Sequence, residues 1–174
     1  QHIQSKKDQE PITMLTAYEV NLARVLDQSE VDIILIGDSM GNVFYGHETT
    51  LPVTLDQMIY HTQAVVRGSK QAFVVADMPF LTTQVSIEET RKNAGRLIKE
   101  GGAQAVKIEV TSKNLEDIKT VVQMGIPVMA HIGLTPQSIN QLGGYRIQGK
   151  TEDTAEALLS IAKECEKAGC FSLV

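Results

Sequence analysis

From residue 12 onward the chain alternates between short runs of consecutive apolar residues and longer stretches whose apolar positions recur every three or four residues. The runs read as buried strands and the stretches as amphipathic helices. The predicted strands are 12–17 (ITMLTA), 32–36 (DIILI), 72–76 (AFVVA), 103–110 (AQAVKIEV), 126–132 (IPVMAHI) and 170–174 (CFSLV). Helices are predicted from 19 to about 28, 54 to about 67, 86–98, 115–124 and 154–168, with a short one opening at Thr135 and Pro136. Residues 1–11, polar and charged with one proline, are expected to stay outside the packed structure.

Local signals support these boundaries. Thr54 with Gln57, and Ser86 with Glu89, have the spacing of capping boxes, and the Gly101-Gly102 pair suits a left-handed helix end. Thr135-Pro136 reads as a cap followed by proline at the first helical position. The connection 41–52 has no periodicity and is long for a strand-to-helix link, which favours a role at a site.

Such alternation implies a parallel sheet covered by helices, either an open doubly wound sheet or a closed (β/α)8 TIM barrel. No glycine-rich phosphate fingerprint follows the first strand, and polar residues sit at the carboxyl ends of four successive strands, where a barrel builds its site. Both features favour the barrel. A barrel normally takes eight units and ~250 residues; here six strands are predicted in 174 residues. The expectation is one barrel domain over 1–174, incomplete at its carboxyl end, from a longer chain. The opening Gln, in place of Met, suggests a trimmed start as well.

A net charge of -5 with pI near 5.4 leaves no basic footprint for nucleic acid or an anionic membrane, so small molecules are the expected partners. No run approaches the ~20 apolar residues of a membrane span, and the amino end lacks the apolar core of a secretory signal. Cys165 and Cys170 match neither a disulfide framework nor a zinc spacing and read as buried or idle thiols in a reducing compartment, the cytoplasm.

The candidate chemistry lies at the strand ends. Asp38 closes the second strand and Asp77 the third. Adjacent strands are ~4.8 Å apart, so both could reach one cation, and Glu109 adds a third carboxylate one strand on. Hard oxygen donors without clustered Cys or His select Mg2+ or a similar cation. Taken singly, each aspartate reads better as a cap of the turn that follows; their recurrence favours a site. Alternation puts Ala105, Lys107 and Glu109 on one face of the fourth strand and Val106, Ile108 and Val110 on the other. Lys107 should meet the carboxylates or an anionic ligand, unless its stem carries the ammonium out to solvent. His131 either serves a substrate oxygen or is a satisfied core histidine. His61 reads as structural, and His47, in the long loop, stays open.

With these residues in place, several stretches come together: TAY at Thr16, GDSMG at Gly37, GHETTLPVT at Gly46, YHT at Tyr60, ADMPF at Ala76, VKIE at Val106, HIGLTPQS at His131 and GGYRIQG at Gly143. In this order they closely resemble the ketopantoate (3-methyl-2-oxobutanoate) hydroxymethyltransferase family of the pantothenate pathway. The resemblance implies a (β/α)8 barrel, a homo-oligomer that is commonly decameric, a divalent ion such as Mg2+, and 5,10-methylenetetrahydrofolate as one-carbon donor to an α-keto acid. By position it implies Asp38 and Asp77 as metal ligands that also meet the substrate, with Glu109 near the metal directly or through water. It implies Ser39 and Lys107 as contacts to the keto-acid carboxylate, and His131, with Lys107, in the catalytic machinery. The family's general base is a glutamate beyond the sixth strand. Glu19 stands where relatives commonly carry Asp, a departure that leaves the site untouched.

Two other functions compete. A carbon-carbon lyase or mutase of the isocitrate lyase/phosphoenolpyruvate mutase type would share the barrel and metal aspartates, but no KxxCG-like nucleophile loop is present. An inactive fragment or assembly subunit is the third.

Overall fold

The computed structural model describes residues 2–111 and 114–174 of the chain. Six parallel strands form one sheet in sequential order: β1 (Met14–Thr16), β2 (Ile33–Ile36), β3 (Phe73–Asp77), β4 (Ala105–Glu109), β5 (Val128–His131) and β6 (Ser172–Leu173). The connecting helices are α2 (Val20–Gln28), α3 (Met40–Val43), α4 (Leu55–Gly68), α5 (Ile87–Arg96), α6 (Leu115–Gln123), α7 (Ile139–Leu142) and α8 (Glu152–Lys167), after a first turn of helix α1 (His2–Ser5). Among the described residues no helix is long and apolar enough to cross a membrane.

Period-two alternation sorts the strand side chains into two layers. Ile34, Ile36, Val74, Ala76, Val106, Ile108, Val128 and Ala130 pack under the helices, with Ala23, Met58, Val65, Leu97 and Val121. Ile33, Leu35, Val75, Ala105 and Met129 form a second, smaller cluster on the opposite face. Asp77, Lys107, Glu109 and His131 continue that second face toward the carboxyl ends of their strands. This is the division expected for β4.

Residues 1–11 depart from expectation; Gln1 itself lies outside the described residues. Ile3 is buried against Ile33, Val75 and Met129, so α1 covers the amino-end side of the second cluster. Lys6 places its ammonium 2.6 Å from Asp32 Oδ1, and the Thr13 N–H and hydroxyl donate to Asp32 Oδ2 at 2.9 and 3.0 Å. One isoleucine in a polar stretch has no periodic signal, because the surface it covers is assembled from distant strands.

The capping box at Thr54 and Gln57 is formed on both arms. At Ser86 the hydroxyl accepts from the Glu89 N–H. The helix that follows ends in a π-helical turn, Leu97–Gly101, before Gly102 takes the left-handed conformation at φ 82°. Thr135 contributes no side-chain cap bond; Pro136–Ser138 is a 3-10 turn leading into α7. The last helix starts earlier than its apolar pattern, because Thr151 and Thr154 form a capping box of their own. Glu19 caps α2, accepting from the Asn21 and Leu22 N–H groups. Cys165 is buried and Cys170 half-buried, neither in a disulfide, and burial raises both thiols, Cys170 to about 12.

α2 and α4 pack closely because Gly68 has no side chain: a Cβ there would meet the Val20 carbonyl oxygen at 2.5 Å and Ala23 Cβ at 2.8 Å. Gly68→Ala is therefore expected to lower stability by about 1–3 kcal/mol through overpacking, read as a shift of the urea midpoint at unchanged slope. The Lys6 hydrogen bond and the Thr13 N–H hold the Asp32 carboxyl down to about 2. A carboxyl held below its unfolded value stabilises the fold above the unfolded pKa, and this contribution is lost as pH falls from about 4 to about 2. Asp32→Asn should cost about 1–2 kcal/mol at pH 7 and flatten that acid limb, measured by denaturant unfolding across the pH range.

Candidate active site

The carboxyl ends of β2 to β5 bring Asp38, Asp77, Lys107, Glu109 and His131 together. Parallel register sets Asp77 beside Lys107 and Glu109 beside His131. Asp38 joins them because β2 ends at Ile36 and the chain turns at Gly37, letting the Asp38 N–H donate to Asp77 Oδ2 at 3.0 Å. A Cβ on Gly37 would lie 2.6 Å from Ser39 Oγ and 3.4 Å from Asp77 Oδ2, so a side chain there would displace the Ser39 hydroxyl.

Asp38, Asp77, Lys107 and Glu109 are all buried. Lys107 Nζ lies 2.6 Å from Asp77 Oδ1. Burial works against the ammonium, but the charge and hydrogen bond of Asp77, with the charges of Asp38 and Glu109, together outweigh it and hold Lys107 above its ordinary range. Burial pushes Asp77 upward, opposed by Lys107 and the Asp38 N–H. Asp38 is raised to about 7 by burial and by the neighbouring Asp77. Glu109 is raised to about 8 by burial and then by Asp38. Lys107 also reaches His131 Nδ1 at 3.4 Å. An ammonium can only donate, so Nδ1 accepts and the imidazole carries its proton on Nε2. Burial and the Lys107 charge lower His131 to about 4, which keeps it neutral.

Three buried carboxylates thus face one ammonium and a neutral imidazole. Asp38 and Asp77, adjacent hard oxygen donors with charge left uncompensated, fit a divalent cation of the Mg2+ class. Glu109 has Oε2 accepting from the Gln137 N–H at 3.0 Å and Oε1 3.7 Å from His131 Nδ1. Among the described residues no three His, Cys, Asp or Glu side chains form a cluster able to hold a metal. Asp38 and Asp77 meet directly through the Asp38 N–H, and Glu109 interacts with Asp38 from the next strand but one.

Several residues at the site had no sequence signal of their own. Gln137 donates from Nε2 to Asp38 Oδ2 and to the Met78 carbonyl, both at 2.9 Å. It belongs to the HIGLTPQS stretch, yet a lone glutamine in a turn shows no periodicity. Tyr18 hydrogen-bonds Ser39, hydroxyl to hydroxyl, at 2.9 Å. His61 is structural as expected, but through polar contacts: Nδ1 lies 2.6 Å from the Tyr18 carbonyl oxygen and Nε2 2.7 Å from the Tyr45 hydroxyl. It ties the long loop to β1. His47 lies in that loop, exposed, its ring near Tyr45. The Thr50 hydroxyl is buried without a hydrogen-bond partner, close enough to Asp38 to favour its charge. Beside Glu109 and Gln137 opens a cavity of about 550 Å³, lined also by Leu51, Phe80, Gln84 and Asn140.

Comparison with known proteins places this arrangement. A family model described as ketopantoate hydroxymethyltransferase matches residues 1–174. The chain belongs to the ketopantoate hydroxymethyltransferase family. Relatives named 3-methyl-2-oxobutanoate hydroxymethyltransferase include those of Geobacter metallireducens, 56% identical over 165 residues, and Clostridioides difficile, 53% identical over 170. These alignments cover 95% and 98% of this chain and 62% of each relative, so the chain spans about three fifths of the length of these family members. Among solved structures, a phosphonopyruvate hydrolase in complex with oxalate and Mg++ aligns with a TM-score of 0.72 at 12% identity, covering 98% of this chain and 60% of that one. A 2,3-dimethylmalate lyase of the PEP mutase/isocitrate lyase superfamily aligns with a TM-score of 0.69 at 16% identity, covering 99% and 60%. At such identities these matches establish the fold alone: a six-stranded parallel portion of an α/β barrel.

Removing the ammonium leaves Asp77 buried without a counter-ion. Lys107→Met is expected to cost roughly 3–5 kcal/mol, and adding Asp77→Leu should recover part of it. Denaturant unfolding of the single and double variants checks this; a loss below about 1 kcal/mol for the single variant contradicts the buried pair.

Proposed function

We propose that this protein, with the rest of a closed (β/α)8 barrel, transfers a hydroxymethyl group from 5,10-methylenetetrahydrofolate to 3-methyl-2-oxobutanoate, giving ketopantoate for pantothenate and coenzyme A synthesis. The observation that carries the reading is the match of the whole chain to the family, coupled to a buried, carboxylate-rich site at the strand ends.

Asp38 and Asp77 would hold a divalent cation such as Mg2+, with Glu109 oriented toward its water shell. A bound cation supplies Lewis acidity toward a keto oxygen and a template for the α-keto acid. Lys107 and Ser39 bind the substrate carboxylate: the ammonium gives the charge, and the Ser39 hydroxyl is oriented by Tyr18. His131, neutral with its proton on Nε2, donates to a substrate oxygen. These groups orient the keto acid so that the carbon next to its carbonyl can lose a proton and attack the one-carbon unit. The same reading makes the protein a homo-oligomer of the cytoplasm, decameric as the family commonly is, with a small α-keto acid and a folate as its partners.

The test is an assay with 3-methyl-2-oxobutanoate, methylenetetrahydrofolate and Mg2+. Ketopantoate is the expected product; cleavage of a 2-hydroxy acid without it would favour a lyase, and folded but inert protein a silent subunit. Asp38→Asn should weaken Mg2+ binding by at least about tenfold with the fold retained, and unchanged calorimetric titration would remove Asp38 from the ligand set.

A further inference from the structure

Gln137 is buried where four segments meet, and every hydrogen-bonding group that it offers toward the site is used. Its Nε2 carries two N–H donors. One goes to Asp38 Oδ2 at the end of β2, the other to the Met78 carbonyl just past β3. Its backbone N–H goes to Glu109 Oε2 at the end of β4. Its Oε1 accepts from Gln84 Nε2, at 3.4 Å, from the loop after β3.

The pattern fixes the amide's orientation. The atom facing Asp38 and the Met78 carbonyl must be the nitrogen, because an oxygen there would oppose two acceptors. It also accounts for glutamine at this position. A glutamate would add a further carboxylate to a site already rich in them, and an apolar residue of similar length would leave Asp38 Oδ2 and the Met78 carbonyl without this donor. Proline at 136 starts the 3-10 turn that carries Gln137 inward from β5.

We infer that Gln137 is a positioning residue: it takes Asp38 Oδ2 and Glu109 Oε2 in one rigid unit, and so sets which oxygens of those carboxylates face the cation. The inference rests on the cation site proposed above. It predicts that cation affinity depends on a residue that touches no cation, as groups supporting a metal's ligands commonly do, by about 10–100-fold. Gln137 also lines the adjoining cavity, so the amide that orients Asp38 is a wall of the space beside it.

The test uses the full chain and Mn2+ as probe, with calorimetry for affinity and a crystal structure for geometry. Uptake by the parent protein tests the cation site alone; absence of uptake sinks that reading. Gln137→Met tests the inference. The expected result is Mn2+ binding at least about tenfold weaker, with near-native circular dichroism and the Asp38 carboxylate turned from its parental position. A crystal structure in which Asp38 keeps its place overturns the inference whether or not the parent binds Mn2+, and so does unchanged affinity; Glu109, held by the backbone N–H that the variant retains, is expected to stay. If Gln137→Met does not fold, Gln84→Leu, at an exposed position, removes the support of Gln137 Oε1 together with the acceptor of the Thr83 N–H, and leaves the Gln137 amide itself in place. A loss of about threefold in affinity is then expected, smaller than for removal of the Gln137 amide itself, and unchanged binding overturns the inference.

Discussion

The burial of more negative than positive charge at one mouth of the sheet is the constraint on which the rest depends. Asp38, Asp77 and Glu109 are all buried, and Lys107 is the one ammonium among them in the described site. In a poorly solvated space such an excess is tolerated by proton uptake or by a cation. The raised Asp38 and Glu109 carboxyls display the first response, and the proposed divalent ion is the second. A fold maintained for packing alone would have no reason to retain this arrangement, since apolar residues of like volume are often as stable.

The sheet makes the arrangement possible by keeping its two faces chemically separate. The layer under the helices is continuous hydrocarbon, so every polar residue of the strands falls on the other face or at the strand ends. At the amino-end side that second face is covered by Ile3 and the Lys6–Asp32 pair. At the carboxyl-end side it becomes the site. A lysine or glutamate introduced one residue out of phase on β4 would enter the helix-facing layer instead.

Around the charged cluster, neutral hydrogen-bonding groups set orientation. Gln137 links β2, β3 and β4 through one side chain and one backbone N–H. Tyr18, Tyr45 and His61 link the end of β1, the long loop and α4, and through Tyr18 they reach Ser39. Charge is supplied by residues on the strand ends, and geometry by residues from the connections.

The strand runs, the helix periodicity and the alternation in AVKIE were enough to place six parallel strands and to put Lys107 and Glu109 on one face, because those signals are local and repeat along the chain. The pairing of Asp77 with Lys107 needed the register of β3 against β4, which no local pattern contains. Ile3, Gln137 and the Tyr18–Ser39 contact were not legible for the same reason: each gains its role from a partner that only tertiary structure brings close. By itself the sequence determined which residue types stand at the strand ends, since periodicity is a property of the chain; which atoms meet there was decided by packing, since a hydrogen bond is a property of the distance between them.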